Sequence, residues 1–470
     1  MRHPMPRRAR PLRPSADPSM PRFAIGWDSL AMNLQGALML PGAPHFEIAR
    51  RVWNGMIDRR PAAIAACANR TDVAAVIHFA AETGLKVTVR GGGHNVGGLA
   101  IQDDTLLIDL GGMRTVDVDA RHRRATVAGG ALWRDFDAVA GAFGLATTGG
   151  MMSTTGVGGL TLGGGIGWLV RKYGLASDNL IGAEVVLANG ELVRVDEERH
   201  ADLFRALRGG GAGLGVVTQF DFKLHPVSTV LAGALWCKAE RAAEVLRIFR
   251  DFSAQIPNEL TMVAAATVAP PAPFVPPALH GRPIVVIACC WCGEQQAGER
   301  VLAPLRARLR AEVDLIAMLP YPVWQASADM TAPHGLRNYW RSTCLPALDD
   351  AAIDWIAAHC LELPTPMSMI HVHHLEGAVK REPAADAADD LRRHAFVVNV
   401  LATWTSPQQD AASIEWARQC SEGIALGHPH RAYLNFSGAD PAHAEVAFDP
   451  DVLVRLREAK RRYDPEARFA

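Results

Sequence analysis

Several features that would assign a protein class at once are missing from this sequence. No apolar run among its 470 residues is long enough to span a bilayer. Its 48 basic and 49 acidic residues leave a net charge of −1, so nothing indicates nucleic acid or an anionic membrane as a partner. The eight cysteines have no regular spacing, which is typical of thiols in a reducing compartment, and we therefore expect a cytoplasmic protein.

The sequence also lacks the two commonest nucleotide-binding fingerprints. No Gly-x-Gly-x-x-Gly joins a first strand to a helix with an acidic residue about twenty positions further on. No Gly-Lys-Ser/Thr follows a glycine loop. A nicotinamide enzyme with a Rossmann domain and a P-loop nucleotidase are therefore disfavoured. A phosphate-binding loop in this chain must belong to another fold.

The N-terminal region and the length of the chain set its expected organisation. Residues 1–24 are rich in Arg and Pro, with Asp17 as the only acid, and this composition predicts disorder. Arg7-Arg8 resembles the start of a twin-arginine export signal, but arginines and prolines follow where that signal needs an apolar segment. We therefore predict no export signal. A chain of 470 residues exceeds one ordinary core, so two domains are expected.

Three glycine-rich stretches are the most informative part of the sequence. The first runs from Lys86 to Asn95, where a short strand ends in Gly91-Gly92-Gly93 between Arg90 and His94. Glycines let a backbone approach a ligand closely, and successive N–H groups in such a loop can bind phosphate, with Arg90 as a cation at its mouth. On its own, this stretch is equally consistent with a plain turn.

The other two stretches favour the ligand-binding interpretation. Residues Gly149 to Gly167 are apolar between their glycines, unlike a solvated linker, and Ser153, Thr154 and Thr155 supply hydrogen-bond donors. This composition suits a large flat ligand that carries a diphosphate. The third stretch runs from Arg208 to Gly213.

Hydrophobic periodicity divides the chain into two α+β parts, the first beginning near Pro44. In the first part we predict helices over 72–82, 131–143 and 201–207, strands over 86–90, 106–110, 115–118, 125–128 and 216–224, and a hairpin over 185–195 that turns at Asn189-Gly190. In the second part we predict strands over 231–236, 284–291, 368–379 and 397–403, and helices over 239–252, 296–311, 350–359 and 406–423.

The run from Met369 to Glu376 contains three histidines. On a strand, His371 and His373 would share one face, and His374 and Glu376 the other. Two histidines at positions i and i+2 could bind a metal, but no third ligand is evident, so we expect no metal site. A strand with one face toward a substrate is the preferred interpretation.

Together these motifs resemble the berberine bridge enzyme-like flavoproteins of the vanillyl-alcohol oxidase / p-cresol methylhydroxylase superfamily. The matching segments are Arg90-Gly-Gly-Gly-His94-Asn95, Gly156-Val-Gly-Gly159 with Gly163-Gly-Gly165, Arg208-Gly-Gly-Gly211 with Gly215-Val-Val-Thr218, Tyr433-Leu-Asn435, and Lys460 with Tyr463-Asp-Pro465. The resemblance covers the chain from about residue 44 to residue 470, and several ordered motifs are far more specific than any one of them.

The resemblance implies an α+β fold. A two-subdomain FAD-binding domain of the p-cresol methylhydroxylase type would span residues 44–225 and be completed by residues 426–470. A substrate domain, with an antiparallel sheet flanked by helices, would span residues 226–425 and cover the flavin. Residues 1–43 would form an N-terminal extension. The implied FAD contacts are Arg90, Gly91, Gly92, Gly93, His94, Asn95, Gly98, Thr154, Thr155, Gly156, Gly158, Gly159, Gly163, Gly164, Gly167, Val217, Tyr433 and Asn435.

This sequence departs from the family pattern at three places. Bicovalent members carry a cysteine four residues before Gly-Val-Gly-Gly, where this chain has Met152, so only a link through His94 to the flavin is implied. The usual Gly-Gly-Asn-Phe-Gly is replaced by Gly211-Ala-Gly-Leu-Gly215. Glu376 replaces the first glycine of a Gly-Gly-Ala segment and would add an acid to the substrate pocket.

Tyr433 is the main catalytic candidate that the resemblance implies, because the matching tyrosine lies near the flavin and in several members removes a substrate proton. The pKa of a free phenol is about 10, so that role requires a lowered value. An extended segment from Arg431 to Asn435 would place Arg431 on the same face, where its charge would lower that pKa. The alternative is that Tyr433 only hydrogen-bonds the cofactor.

These expectations combine into an FAD-dependent oxidoreductase with one covalent histidine link and with Tyr433 and Glu376 as catalytic residues. It would oxidise a small alcohol, sugar or secondary metabolite by hydride transfer to flavin N5. Thr155, just before Gly-Val-Gly-Gly, has nearly the shape of valine, which in the family goes with oxidases, so molecular oxygen is the expected acceptor. The alternatives are a dehydrogenase with another acceptor and a flavin-binding protein without turnover.

Overall fold

The computed structural model describes residues 26–211, 213–381, 391–438 and 446–470. The disorder predicted for residues 1–24 falls outside these ranges. None of the described helices is both long and apolar enough to cross a lipid bilayer. Three sheets, together with a two-stranded ribbon, organise the described residues.

The first sheet contains the strands β1 (Ala37–Met39), β2 (Ala63–Ala66), β3 (Val87–Arg90) and β4 (Leu106–Asp109), with helices α1 (Trp27–Asn33), α2 (Phe46–Ala49) and α3 (Arg70–Thr83). Its order is β1-β2-β4-β3, and β2, β4 and β3 are parallel. Helix α3 confirms the predicted helix: the Asn69 side chain accepts the N–H groups of Thr71 and Asp72, and the helix ends at Gly84 with a φ of 72°.

The first folded part begins earlier in the chain than Pro44, which corrects the sequence-based limit. Strand β1 pairs antiparallel with β2, and Leu30 of α1 is buried in the core. The carboxylate of Asp72 anchors this segment, because it accepts the backbone N–H groups of Gln35, Gly36 and Ala68. A strand of three residues is too short to show a periodic pattern, so the sequence did not reveal it.

The second sheet contains β5 (Val116–Asp119), β6 (Arg124–Ala128), β8 (Leu180–Val186), β9 (Leu192–Val195) and β10 (Val216–Lys223), beside the ribbon of β7 (Leu145–Ala146) and β11 (His225–Pro226). Its order is β5-β6-β10-β8-β9, with all neighbours antiparallel. Helices α4 (Trp133–Gly141), α5 (Val157–Leu162), α6 (Val170–Tyr173) and α7 (Ala201–Leu207) accompany it. The predicted hairpin is confirmed, since Leu187 donates to the carbonyl of Glu191 around the Asn189-Gly190 turn.

The third sheet contains β12 (Thr229–Lys238), β13 (Leu260–Val268), β14 (Pro283–Trp291), β15 (Val313–Asp314), β16 (Ala317–Pro320), β17 (Arg337–Leu345), β18 (Met369–His374) and β19 (Phe396–Trp404). The path is β15-β12-β14-β13-β18-β19-β17, and β16 also pairs with β12. The accompanying helices are α8 (Ala242–Ser253), α9 (Gln295–Leu309), α10 (Tyr321–Gln325), α11 (Asp350–Cys360) and α12 (Asp410–Ile424). Short 3-10 turns cover Ser177–Asn179, Ala239–Arg241, Pro277–Leu279, Asp329–Thr331, Gly377–Lys380, Leu391–Arg393, Pro407–Gln409 and Leu434–Phe436.

Four strands of this sheet, β13, β15, β16 and β17, were not predicted, and one was predicted too long. Strand β13 is rich in alanine and β17 mixes charged with aromatic residues, so neither shows the alternation that marks a half-buried strand. Strand β18 ends at His374 rather than near Val379. Glu376 and Gly377 both have a φ of 61°, and a positive φ ends an extended segment.

The two faces of the third sheet meet different surroundings. Ile370 and Val372 of β18 are buried in a core shared with α8 and α11. Residues that alternate with them point to the opposite face. On that face Val397 belongs to a cluster with Ile166 and Tyr433, and Leu401 to a cluster with Trp53. The sheet therefore lies over the glycine-rich stretches, as the resemblance implied.

The C-terminal residues return to the first sheet. The last helix, α13 (Pro450–Tyr463), contacts α7 through a hydrogen bond of 2.8 Å from the Tyr463 hydroxyl to Asp202. Phe469 bridges to Val87 of β3 and is buried in the core of that sheet. The end of the chain therefore stabilises the element that leads into the first glycine stretch.

We expect Asp72→Ala to lower the free energy of unfolding by about 2 kcal/mol or more, because three backbone N–H groups lose their acceptor and one such loss costs about 1–3 kcal/mol. Urea unfolding followed by circular dichroism measures it. Asp117→Ala, at an exposed position of β5, is the matched control and should change stability by less than about 0.5 kcal/mol. Equal effects of the two substitutions would contradict the anchoring role.

Candidate active site

Two glycine-rich stretches touch backbone to backbone. A Cβ atom at Gly92 would lie 2.5 Å from the backbone nitrogen of Gly156, and a Cβ atom at Gly156 would lie equally close to the nitrogen of Gly92. No other residue type fits at either position without displacing the partner loop. The third stretch joins them, since the N–H of Gly211 donates to the carbonyl of Leu162 at 2.8 Å. The structure therefore brings all three predicted motifs together.

Arg90 does not act as a cation at the mouth of the loop, which corrects the prediction. Its guanidinium forms an ion pair with Asp109 at 2.6 Å and donates to the carbonyls of Ala49 and Arg51. These partners lie on β4 and in the segment before β2. Arg90 therefore holds the start of the glycine loop in place instead of offering its charge to a phosphate.

His94 lies in an aromatic setting at the end of this loop. Its ring stacks on Trp53 at 4.5 Å, with 16° between the planes, and the ring of His334 lies edge-on at 6.3 Å. Burial, reinforced by the nearby His334, lowers the pKa of His94 to about 4. The imidazole is therefore neutral near pH 7, and its buried Nε2 has no hydrogen-bond partner among the described residues.

A segment of the substrate domain covers this histidine. Trp53 donates its indole N–H to the carbonyl of Ala332 at 2.9 Å, and Gly335 donates its backbone N–H to the carbonyl of Trp53. Asp329 accepts both the N–H and the hydroxyl of Ser153 from the second glycine stretch. The connection between α10 and β17 thus contacts both glycine loops. Sequence reasoning did not identify Trp53, because no motif marks it.

The second glycine stretch leaves room where a ligand would lie. A Cβ atom at Gly159 would meet nothing within 4 Å, whereas one at Gly158 would contact Phe220. Met152 packs at the edge of the cluster that contains Trp53. The chain has no cysteine between Cys67 and Cys237, so no thiol is available in this stretch.

The remaining predicted cofactor residues lie in or beside the same loops. Gly164 approaches the ring of Tyr433, and Gly167 contacts the backbone of Gly149. Asn95 accepts the N–H of Leu99, and the carbonyl of Thr155 accepts the N–H of Trp133. Other members of the predicted set occupy neighbouring positions: Gly91, Gly93, Gly98, Thr154, Gly163 and Val217.

Tyr433 reaches the second glycine stretch from the C-terminal part of the chain. Its hydroxyl oxygen accepts the backbone N–H groups of Gly165 at 2.9 Å and Ile166 at 3.2 Å, and the amide of Asn435 at 2.8 Å. Three donors that converge on one oxygen stabilise negative charge there. The second glycine stretch and Tyr433 therefore form one connected site.

The structure gives Arg431 a partner other than the Tyr433 that was expected. Arg431 forms an ion pair with Asp449 at 3.0 Å. The residues after Tyr433, Leu434–Phe436, form a 3-10 turn instead of continuing as a strand, so the alternation expected for an extended segment does not hold. The polarisation of Tyr433 comes from amide N–H groups.

Glu376 does not face the glycine loops, which corrects its predicted catalytic role. Its carboxylate contacts Lys380 at 2.6 Å and Nε2 of His374 at 3.5 Å. Burial opposes ionisation, but the hydrogen bond and charge of Lys380 outweigh it and hold the pKa of Glu376 below its usual value. The ring of His374 lies against Phe396, in the core on the helix side of the sheet. Glu376 belongs to an ion-pair network at the end of β18.

The opposite face of β18 carries the two other histidines. His371 lies directly across from Asn399 of β19, and His373 across from Val397. The ring of His373 lies 5.3 Å from that of Phe436, which in turn lies 4.8 Å from Tyr433. Among the described residues, no group of three or more His, Cys, Asp or Glu side chains could hold a metal ion.

A cleft of about 360 Å³ opens on the second sheet, away from this site. It is lined by Arg124, Arg194, Arg199, Asp196 and Asp221 among others. Arg194 pairs with Asp221, and Arg199 with Asp196. Because two of its three arginines and both aspartates are paired with one another, the glycine loops with His94 and Tyr433 are the better candidate site.

The site residues fit an FAD cofactor. The two touching loops supply glycine backbone, Gly159 leaves open space, and His94 presents a buried nitrogen without a partner. A protein family described as "FAD binding domain" matches residues 61–196, which include both loops. An (R)-6-hydroxynicotine oxidase from Paenarthrobacter nicotinovorans is 30% identical over 451 residues, covering 93% of this chain and 96% of that protein. The chain belongs to the berberine bridge enzyme-like family of FAD-linked oxidoreductases.

Solved structures confirm the predicted fold of this FAD-linked oxidoreductase. Berberine bridge enzyme-like protein 1 from Physcomitrella patens has a TM-score of 0.84 and 20% identity, covering 94% of this chain and 97% of that one. A glucooligosaccharide oxidase from Acremonium strictum, whose flavin is named as 6-S-cysteinyl, 8α-N1-histidyl FAD, has a TM-score of 0.83 and 22% identity with the same coverage. These structures confirm the predicted α+β architecture. The FAD-binding domain match and the 30%-identical oxidase confirm FAD as the cofactor and the assignment as an enzyme.

Buried neutral histidines predict that this oxidoreductase loses stability in mild acid. Burial is the largest cause that lowers the pKa of His94, His225 and His371 to about 4, and of His373 and His374 to about 3. An unfolded chain takes up these protons near pH 6.5. The free energy of unfolding should therefore be highest above about pH 6.5 and fall as the pH drops from 6.5 to 4. Asp137, whose pKa burial raises, acts in the opposite direction but is one group against five.

Urea midpoints at pH 7.5, 6 and 5 measure this effect. The double substitution of His371 and His373 by Asn removes two of the five groups, so its midpoint should depend less on pH. A wild-type midpoint that stays constant from pH 7.5 to pH 5 would contradict the prediction.

Proposed function

We propose that this enzyme oxidises a small organic substrate with FAD attached covalently through His94, with Tyr433 as the proton acceptor and molecular oxygen as the electron acceptor. The chemistry that bound FAD supplies is acceptance of a hydride at N5 and return of the electrons to oxygen. We also propose a cytoplasmic location, which eight buried cysteines without disulfides support.

The covalent link is proposed because the imidazole of His94 is neutral and buried. An imidazole must be neutral to act as a nucleophile, and burial keeps this one neutral near pH 7. Its Nε2 is buried without a partner, while Trp53 fixes the plane of the ring. The glucooligosaccharide oxidase named above carries both a cysteinyl and a histidyl link. This chain offers Met152 where the cysteine would be needed, so we propose one link.

Tyr433 is the proposed proton acceptor because its oxygen accepts three N–H groups. Those donors stabilise the phenolate that accepts a proton from the substrate C–OH or acidic C–H. Its backbone is held by Ser342 of β17, whose hydroxyl accepts the Tyr433 N–H at 2.9 Å. The base is therefore fixed to both the sheet and the second glycine stretch.

We expect the yellow colour of the purified enzyme to remain with the polypeptide after acid denaturation and to fluoresce on a denaturing gel. His94→Ala should bind FAD but release it on denaturation, because the ring that forms the bond is gone while the glycine loops remain. His359→Ala, on an exposed part of α11, is the control and should stay covalently flavinylated. Wild-type protein that releases all of its flavin would contradict the link, and flavin found on any cysteine would contradict a single attachment.

Tyr433→Phe keeps the ring and removes the hydroxyl. We expect flavin reduction by substrate to slow by about 10²–10⁴-fold, the usual cost of losing a positioned acid–base group, while flavin content is unchanged. Anaerobic stopped flow measures this half-reaction, and mixing the reduced enzyme with aerated buffer measures the other. Tyr339→Phe, on the helix side of β17, is the matched control. Near-normal reduction in Tyr433→Phe would exclude the tyrosine as the base. Reoxidation of the wild type over many minutes would favour a dehydrogenase.

A further inference from the structure

The face of the third sheet that lies over the glycine loops contains polar atoms without protein partners. Both ring nitrogens of His373 and the side-chain oxygen of Asn399 are buried without hydrogen bonds among the described residues. His373 is 3% exposed and Asn399 is 1% exposed. Leaving a buried polar group unpaired costs about 1–3 kcal/mol, so several on one face indicate a surface that a ligand completes.

His371, His373 and Asn399 occupy neighbouring positions on this face. His371 pairs with Asn399 across β18 and β19, and its ring lies 5.8 Å from that of His373. Across β13, His371 faces Ala265 and His373 faces Val263. Ala265 therefore places only a methyl group beside His371. We call these three residues the roof triad.

The roof triad carries no charge near pH 7. Burial lowers the pKa of His371 to about 4, and burial together with His371 lowers that of His373 to about 3. Asn399 is uncharged at any pH. The ion pair of Glu376 with Lys380, and Arg171 beside His374, belong to the end of β18 and to its helix side. A charged ligand group would therefore meet neutral dipoles at the roof triad, and no counter-ion among its neighbours in the described part of the chain.

From this arrangement we propose that the roof triad recognises the substrate and accepts only uncharged polar groups, with hydroxyls as its preferred partners. A neutral imidazole offers one N–H donor and one acceptor nitrogen, and the amide of Asn399 offers both kinds of group. A hydroxyl donates and accepts at once, so it satisfies these atoms. A carboxylate or an ammonium would lose its hydration without gaining a counter-charge, which is costly in a buried site.

This proposal rests on the proposed function, since it names the substrate class of the same site. The oxidised carbon would belong to a neutral, hydroxyl-bearing molecule whose other hydroxyls contact the roof triad. Phe436, which lies between His373 and Tyr433, would contact the apolar part of that molecule.

Two sets of probes with matched shape test the proposal on the flavin-loaded enzyme. One set is glucose, glucuronate and glucosamine. The other is 4-hydroxybenzyl alcohol, 4-carboxybenzyl alcohol and 4-(aminomethyl)benzyl alcohol. Isothermal titration calorimetry at pH 7.5 measures binding without relying on turnover. In at least one set, the uncharged member should bind at least tenfold more tightly than both charged members.

Substitutions on the two faces of β18 locate the effect. His373→Phe should remove the preference for the uncharged probe, whereas His373→Gln, which keeps a donor and an acceptor, should retain most of it. His374→Phe is the same change one residue along, on the helix side, and should leave the preference intact. Melting temperature and flavin content show whether each variant is folded. If His373→Phe does not fold, Asn399→Leu tests the same preference.

Three results would overturn the roof triad proposal: charged probes that bind as tightly as uncharged ones, no binding of any uncharged probe, or equal losses in His373→Phe and His374→Phe. The proposed function fails differently. If calorimetry shows selective binding but the flavin is neither covalent nor reduced by any bound probe, the recognition surface stands and the catalytic proposal falls.

Discussion

The contact between Gly92 and Gly156 is the constraint on which the rest of this structure depends. The first loop follows a strand of the first sheet, and the second precedes a helix beside the second sheet. Their backbones approach so closely that a single Cβ atom at either glycine would force them apart. The roles proposed for His94 and Tyr433 depend on this close contact between the loops. The contact sets the position of His94 on one side and of the Gly165 N–H on the other.

The substrate domain completes a site that the glycine loops begin. Ser342 of β17 holds the backbone of Tyr433, while the amides of Gly165 and Ile166 hold its hydroxyl. On the other side, Asp329 and Ala332 bind Ser153 and Trp53. The sheet is therefore tied to both glycine loops through hydrogen bonds, and a shift of the sheet would displace the proposed base and the proposed attachment residue together.

Structural features that depend on residues close together in the chain could be predicted from the sequence. The helix over 72–82, the Asn189-Gly190 hairpin and the glycine motifs each depend on residues close in the sequence, and the structure has each of them. The roles expected of two arginines depended on partners outside their motifs. Arg90 is neutralised by Asp109, 19 residues away, and Arg431 by Asp449, 18 residues away. Nothing in one sequence shows which carboxylate a cation will meet, so the sequence alone does not assign these two ion pairs.

The position of Glu376 shows how one backbone conformation changes a chemical assignment. Strand alternation alone would place it with His374, and it does contact that histidine. Its positive φ, however, ends the strand, and the side-chain carboxylate then meets Lys380. The face toward the glycine loops is left to His371, His373 and Asn399, which are neutral. The charge that the sequence suggested for this face of the sheet thus lies outside it, and the uncharged roof triad selects substrates by hydrogen bonding and shape.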